Sequence, residues 1–195
     1  TGGLDLPWLL SQELSAVEAT WDAFGGVCRA LAASPLLSVA AIGGHSPAGG
    51  AVISLYCDYR VMARGPYRIG LNEVQVGLFV PEAIQYALRR IVGAHRAERL
   101  VVAGAMVDSE EALAIGLVDE LTAAEEVTTR ALAWLEGMLK LPSSAQRETR
   151  RIARTDLREA IADPARMELP RFLESWQQAE TQAVLAAVLA RLGKR

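Results

Sequence analysis

Residues 39–63 read VAAIGGHSPAGGAVISLYCDYRVMA, and their order of elements decides the fold. An apolar run of strand length, residues 36–42, leads into a glycine-rich turn at residues 43–50. The uncharged apolar residues 51–57 follow and predict a buried helix, and residues 59–63 predict a second strand. A strand, a glycine turn, a helix and another strand in this order are typical of an α/β protein.

Strands and helices are predicted to alternate up to about residue 121, and only helices follow. The chain therefore divides into an α/β core, residues 1–140, and a helical segment, residues 141–195. The predicted strands are residues 36–42, 59–63, 67–71 and 117–121, with a turn at residues 64–66 between the second and third. The predicted helices are residues 8–33, 51–57, 95–103, 108–115, 123–140 and 143–161, together with helices that begin at Pro81 and Pro170.

Composition excludes several classes of protein. The chain has 195 residues, of which 51% are hydrophobic and 22% charged, so it can bury a core and is not intrinsically disordered. The net charge of −3 is too balanced for a protein that binds duplex nucleic acid. We also expect no transmembrane helix, because no window holds eighteen consecutive uncharged apolar residues.

The two cysteines, Cys28 and Cys57, form no CxxC pair and have no metal-ligand spacing with His45 and His95. We therefore predict neither a disulfide nor a zinc site, but two buried thiols in a reducing compartment. The chain opens without Met and without a signal peptide, so we expect a protein that is not secreted and a sequence that starts inside a longer one.

The glycine-rich turn is the first candidate site. Glycine lets a ligand approach the backbone closely, and the first N–H groups of a helix are unpaired at its positive end. The turn has neither GxxxxGK[ST] nor GxGxxG, so it suits an oxyanion better than a phosphate. The alternative interpretation is that the glycines only allow a strand and a helix to pack closely.

Glu73 is the second candidate, because it follows a predicted strand and has mostly apolar neighbours. Burial among them would raise its pKa, which suits a base that must return its proton. The alternative is an exposed turn residue. For three weaker candidates we favour structural roles: a hydrogen-bonding residue for His45, a first-turn acid for Glu82, and a cap or ion-pair partner for Asp58.

A group of arginines recurs at helical spacing in the C-terminal segment. It could form a solvated face, a subunit contact or a site for anionic ligands, and we favour the solvated face. The arginines are Arg147, Arg150, Arg151, Arg154 and Arg158.

The sequence also lacks a GxSxG motif, so nothing supports a serine hydrolase of that type.

Four segments resemble the crotonase family, the enoyl-CoA hydratase/isomerase superfamily. They are residues 1–6, 39–63, 67–81 and 93–121. The last segment indicates the fold, and the first three indicate the mechanism. SPAGG followed by GLNE is most similar to the mitochondrial type of Δ3,Δ2-enoyl-CoA isomerase. The resemblance implies an α/β spiral of ββα units followed by a helical trimerisation segment at residues 141–195. It also implies that the N-terminal part of the family fold, with much of the adenine contact, precedes residue 1.

The resemblance further implies which groups do the chemistry. The backbone N–H groups of Gly2 and Gly49 would bind the thioester oxygen, and Glu73 matches the single catalytic glutamate of the isomerases. Val52 stands where hydratases have their other glutamate. Glu82 stands where these isomerases have an apolar residue, and it is a possible secondary acid.

The activity implied is isomerisation of an unsaturated fatty acyl-CoA in β-oxidation, moving the double bond from the 3,4 to the 2,3 position. Coenzyme A would be part of the substrate, with no further cofactor and no metal. The implied assembly is a homotrimer or a dimer of trimers, in the cytoplasm of a bacterium or the mitochondrial matrix of a eukaryote. Two alternatives remain: a hydratase, lyase or hydrolase of the same fold acting on an acyl-CoA thioester, and a non-catalytic acyl-CoA-binding scaffold.

Overall fold

The computed structural model describes residues 1 and 3–192 and has two three-stranded sheets surrounded by helices. The strands are β1 Val39–Ile42, β2 Ser46–Pro47, β3 Tyr59–Ala63, β4 Arg68–Gly70, β5 Val107–Asp108 and β6 Glu120–Thr122. In the first sheet the strand order is β1-β3-β6 and all strands are parallel. In the second sheet the order is β2-β4-β5, with β2 parallel and β5 antiparallel to β4.

The helices cover both sheets and make up the whole C-terminal part of the described chain. Single 3-10 turns at Glu73–Val76, Ala124–Glu126 and Pro164–Met167 connect some of them. The α-helices are α1 Leu6–Leu10, α2 Leu14–Ala33, α3 Gly49–Leu55, α4 Glu82–Val92, α5 Ala94–Ala103, α6 Ser109–Ala114, α7 Val127–Met138, α8 Ser143–Ala153, α9 Thr155–Ala162, α10 Leu169–Gln177 and α11 Ala179–Leu192. The predicted α/β class is confirmed. The single helices predicted over residues 143–161 and from Pro170 onward are each divided in two: α8 and α9 separate at Arg154, and α10 and α11 separate at Gln178, which is extended with ψ 137°.

The prediction of one helix over residues 8–33 is wrong, because α1 and α2 are separate helices. The backbone N–H and the hydroxyl of Ser11 both donate to the carbonyl of Trp8, at 3.0 and 2.7 Å. Glu13 is extended, with φ −65° and ψ 153°. A serine that bonds nearby carbonyls competes with the helix, and here it ends α1 one turn before α2 begins.

The turn at residues 64–66 connects strands of different sheets, although its short length would also suit a hairpin. β3 is already paired on both edges, with β1 and with β6, so it has no free edge for β4. Arg64 extends the β3–β6 pairing through its N–H, which donates to the Thr122 carbonyl at 2.8 Å. The chain then enters the second sheet, whose β2–β4 pair leads directly into α3.

The C-terminal helices pack against the core rather than forming a separate body. Side chains of α9, α10 and α11 belong to the same apolar cluster as side chains of α2 and α3. The C-terminal members include Leu157, Ile161, Phe172, Trp176 and Leu185. Oligomerisation through residues 141–195 therefore stays a prediction, while the same residues contribute to the fold of their own chain.

The interpretation of the arginine group as a solvated face is wrong for Arg150 and Arg154. Both guanidinium groups reach Asp58, Arg150 with Nε and Nη2 at 2.8 and 2.9 Å and Arg154 with Nη1 at 2.8 Å. Their side chains are only 12% and 9% exposed. Asp58 is thus an ion-pair partner, as predicted, and helical spacing alone could not reveal it across the fold. Arg151 does lie on the surface, paired with Glu148.

Three smaller predictions concern thiols, metals and membranes. Cys28 and Cys57 are free thiols, one buried and one half-buried. Within residues 1 and 3–192, His, Cys, Asp and Glu side chains form no group of three or more that could hold a metal ion. Of the helices described, none combines the length and the apolar character needed to cross a membrane.

Candidate active site

A cavity of about 890 Å³ lies between the N-terminal helices, the start of α3, the 3-10 turn at Glu73–Val76 and the last two helices. Its walls are mainly apolar, and among the described residues that line it Glu73 is the only ionisable one. Aromatic and aliphatic side chains form its α2, α10 and α11 sides. These are Trp21, Phe24, Phe172, Trp176, Ala183, Val184, Ala187 and Val188.

Glu73 is the first residue of the 3-10 turn that follows β4, and it lines the cavity. Its carboxylate atom Oε2 is buried and has no hydrogen-bond partner in the described part of the chain. Burial raises the pKa of Glu73 from its ordinary 4.5 to about 7, because the charged form loses its hydration; a backbone N–H opposes this only partly. Glu73 is therefore able to accept and return a proton near neutral pH.

The positive end of α3 lies at the same cavity. Ala48 and Gly49, the N-cap and first residue of α3, both line it, and no side chain caps this helix. Ala48 has φ 47° and ψ −120°, an unusual conformation for a residue with a side chain. The β2–β4 pairing holds it there, since the Ala48 N–H donates to the Gly70 carbonyl at 2.9 Å. N–H groups of the first turn are available to an anion in the cavity.

The glycines of this turn also allow close packing, as the alternative interpretation expects. A Cβ on Gly49 would lie 3.2 Å from the Cα of Gly3, and one on Gly50 would lie 2.5 Å from the carbonyl oxygen of Thr1. The start of the chain is thus packed directly against the start of α3. Gly2, the other predicted oxyanion donor, lies outside the described residues.

Val52 and Glu82 are the two positions at which a second acid could act. Val52 is 1% exposed and lines the cavity without an ionisable group. Glu82 is not among the cavity-lining residues, and its carboxylate forms a bidentate ion pair with Arg166. The fold therefore does not bring Glu82 together with Glu73, and its partner gives it a structural role at the start of α4.

His45 makes a structural hydrogen bond, as favoured from the sequence. Its Nδ1 accepts from the N–H of Arg68 at 3.1 Å, and its ring packs edge-on against Tyr67 at 5.7 Å between centroids. It does not line the cavity.

Sequence reasoning missed most of the cavity wall. Trp21 and Phe172 stack at 3.8 Å between ring centroids with a 4° interplanar angle, although they lie far apart in sequence. The helical spacing of Trp21 and Phe24 indicated a buried face, but not that part of it faces a cavity. Asn72, whose Oδ1 is buried without a partner in the described part of the chain, also lines the site beside Glu73.

Fold and site together define a class of α/β protein in which a buried carboxylate, without a counter-ion among the described residues, and the positive end of a helix face the same apolar cavity. The chain belongs to the enoyl-CoA hydratase/isomerase family, whose model matches residues 1–192. Proteins of this family generally require no cofactor.

Individual relatives are similar over most of this chain. Human mitochondrial enoyl-CoA delta isomerase 1 is 31% identical over 98% of this chain and 64% of its own length. A Mycobacterium tuberculosis protein named probable enoyl-CoA hydratase EchA17 is 36% identical over 74% of this chain and 55% of its own. The crystal structure of human mitochondrial Δ3-Δ2-enoyl-CoA isomerase superposes with a TM-score of 0.91 at 30% identity, covering 100% of this chain and 76% of that one. The chain thus spans about three-fifths of the length of these curated relatives.

Proposed function

We propose that this protein is an isomerase that moves the double bond of an unsaturated fatty acyl-CoA from the 3,4 to the 2,3 position, a step of fatty acid β-oxidation. The observation that carries the proposal is that Glu73 is the only ionisable side chain among the described residues lining the cavity. Similarity to the human isomerase supports it.

The reaction needs one base and one acceptor of negative charge. The Glu73 carboxylate removes a proton from C2, and the electrons of that C–H bond form a C1–C2 double bond while the carbonyl electrons move to the thioester oxygen. When the carbonyl re-forms, the C1–C2 electrons form the new C2–C3 double bond, and the electrons of the former C3–C4 double bond take the proton back from Glu73 at C4. Between these steps the dienolate carries its charge on the thioester oxygen. A carboxyl group with a pKa of about 7 can work in both directions at neutral pH.

Backbone donors would stabilise that oxygen. The N–H of Gly49 is unobstructed by any side-chain cap and lies at the positive end of α3. Gly2 is the second donor in this proposal. Loss of one oxyanion donor costs about 3–4 kcal/mol of transition-state stabilisation in other enzymes. The apolar walls exclude water that would protonate the dienolate at random.

Hydration is less well supported, because a hydratase must activate a water molecule and also deliver a proton. Val52 cannot exchange a proton, and Glu82 is committed to Arg166 outside the cavity. A single carboxylate performs both tasks poorly.

The test supplies 3-enoyl-CoA and 2-enoyl-CoA separately to wild type, Glu73→Gln and the matched control Glu82→Gln. We expect the 3-enoyl substrate to be isomerised by wild type and Glu82→Gln, and the rate to fall at least a thousandfold in Glu73→Gln. Hydration of the 2-enoyl substrate as the main reaction would overturn the proposal. Binding of both CoA esters without turnover would favour a scaffold instead.

Assembly as a homotrimer or a dimer of trimers, through residues 141–195, is part of this proposal. Light scattering tests it directly, and a monomer at micromolar concentration would contradict it.

A further inference from the structure

The carbonyl of Gly77 joins the C-terminal helices to the turn that carries Glu73. The hydroxyl of Ser175, near the end of α10, donates to this carbonyl at 2.9 Å. The hydroxyl of Thr181, in the first turn of α11, donates to the same oxygen at 3.0 Å. Thr181 is only 2% exposed, so water does not compete for its hydrogen bond. One carbonyl is thus held from two consecutive helices.

Gly77 passes this restraint on to Glu73 through the backbone. Gly77 ends the 3-10 turn in a left-handed conformation, with φ +78°, and its N–H donates to the Glu73 and Val74 carbonyls. The N–H of Leu78 also donates to the Glu73 carbonyl, at 3.1 Å. A continuous chain of hydrogen bonds therefore runs from Thr181 through Gly77 to Glu73.

The contact between Gly77 and α11 has no free space. A Cβ on Gly77 would lie 2.6 Å from Thr181 Oγ1 and 3.0 Å from Thr181 Cα. On the other side of the turn, the Gln75 side-chain amide donates to the Gly104 carbonyl at 2.8 Å. A Cβ on Gly104 would lie 2.7 Å from Val74 Cγ2. The turn is thus held between the end of α5 and the start of α11.

We propose that Ser175 and Thr181 are positioning residues, which hold the Glu73 carboxylate in the cavity by fixing the Gly77 carbonyl. This inference rests on the proposed function, since it assigns a role relative to Glu73 as the base. Neither hydroxyl residue lines the cavity, so neither is expected to touch the substrate. Proton transfer depends steeply on geometry, and a displacement of about 1 Å can cost a hundredfold in rate.

The same two hydroxyls tie the base to the cavity wall. Ala183 and Val184, two and three residues after Thr181 on α11, line the cavity. Loss of the two hydrogen bonds to the Gly77 carbonyl would loosen this wall and admit water to Glu73. The water would lower the raised pKa of Glu73 toward its ordinary value. A merely structural role of the hydroxyls would change stability without this change in the titration of the base.

The experiment compares Thr181→Val, Ser175→Ala and the double variant with Thr181→Ser, all in the full-length protein. Thr181→Val keeps the shape of the side chain and removes the hydroxyl, and Thr181→Ser restores the hydroxyl. The matched control is Thr155→Val. The Thr155 hydroxyl donates to the carbonyl of Arg151, four residues earlier, at 3.2 Å, and not to the turn that carries Glu73. The measurements are kcat and KM for 3-enoyl-CoA, the pH dependence of kcat/KM, and the melting temperature.

We expect kcat to fall about fivefold in Thr181→Val and about thirtyfold in the double variant, with KM within about threefold of wild type. The pH at which kcat/KM is half-maximal should move to lower pH in the double variant. Thr181→Ser and Thr155→Val should keep kcat within about twofold of wild type.

The inference is overturned if the folded double variant keeps the wild-type kcat and pH profile, or if only its KM changes. Failure of the proposed function is a different result: Glu73→Gln would then retain isomerase activity, or wild type would have none.

Discussion

Glu73 and Asp58 are both buried carboxylates, yet the fold surrounds them in opposite ways. Around Glu73 the cavity is apolar and Oε2 has no partner within the described chain. Around Asp58, whose side chain is 12% exposed, Arg150 and Arg154 supply three hydrogen bonds of 2.8 to 2.9 Å. Burial alone raises the pKa of each group. At Asp58 the bonds from Arg150 and Ser38 and the charge of Arg154 outweigh burial and lower the pKa.

Burial therefore makes a carboxylate reactive only where no counter-ion compensates its charge. Asp58, Arg150 and Arg154 form an ion-pair cluster, the Asp58 cluster, which connects α8 and α9 to the loop before β3. In this cluster the Asp58 carboxylate is kept in its ionised form. The Glu73 site keeps two states accessible near neutral pH, at a cost in stability. Variants of the two carboxylates and of the residues around them test this contrast.

Asp58→Asn should have the largest effect on stability. It leaves the buried guanidinium groups of Arg150 and Arg154 without their counter-ion, and removing one partner of a buried ion pair costs about 3–5 kcal/mol. Urea denaturation at pH 7 measures the loss. The turnover of the molecules that remain folded should change little, and a loss below about 1 kcal/mol would contradict the role of the cluster.

Glu73→Gln should change the free energy of unfolding in the opposite direction to Asp58→Asn and stabilise the protein at alkaline pH. The pKa of Glu73 is raised in the folded state, so the folded protein binds this proton more tightly than the unfolded chain does. Wild type therefore loses stability as pH rises from about 4.5 to about 7, and this loss stays constant above pH 7. We expect Glu73→Gln to be about 1–3 kcal/mol more stable at pH 8 and equal to wild type near pH 4.

The pH dependence at Asp58 should be the reverse, which provides the control. A lowered pKa contributes stability that is present above the ordinary value of 3.8 and is lost as pH falls through the folded-state pKa. The difference between wild type and Asp58→Asn should therefore shrink in acid. Equal pH profiles for the two variants would contradict the contrast.

Ala187→Phe should narrow the cavity without touching either carboxylate. Ala187 lines the cavity on α11, and its neighbour Ala186 does not. We expect kcat/KM for 3-dodecenoyl-CoA to fall about tenfold and that for 3-hexenoyl-CoA to stay within about twofold. Ala186→Phe should leave both values unchanged. An equal fall for both chain lengths would show that the α11 wall does not hold the acyl chain.

Arg151→Ala should have the smallest effect. Arg151 pairs with Glu148 on the surface, where both side chains are more than half exposed, so its loss should change stability by less than about 0.5 kcal/mol. Arg154→Ala, one helical turn further on, should cost several times more, because Arg154 is buried against Asp58. Similar losses of stability in the two variants would show that the buried ion pair of Arg154 contributes no more than the exposed ion pair of Arg151.

The features that depend on residues close together in the sequence were predicted from it. The α/β class followed from the strand, glycine turn and helix at residues 39–63, and the apolar neighbours of Glu73 predicted its raised pKa. The pairing of Asp58 with Arg150 spans 92 positions in sequence, and the stacking of Trp21 on Phe172 is equally non-local, so spacing could not reveal them. Ser175 and Thr181 lie 98 and 104 positions after Gly77 in the sequence, so spacing could not reveal their hydrogen bonds to its carbonyl either.

Glu73, buried and without a counter-ion among the described residues, is proposed as the base, and the pH dependence of kcat/KM for 3-enoyl-CoA isomerisation is the decisive measurement. Because the ionised carboxylate of the free enzyme removes the C2 proton, kcat/KM should rise with pH, reach half its maximum near pH 7 and then remain constant. A half-maximal value near pH 4.5, or a flat profile between pH 5 and 9, would show that Glu73 is not the base.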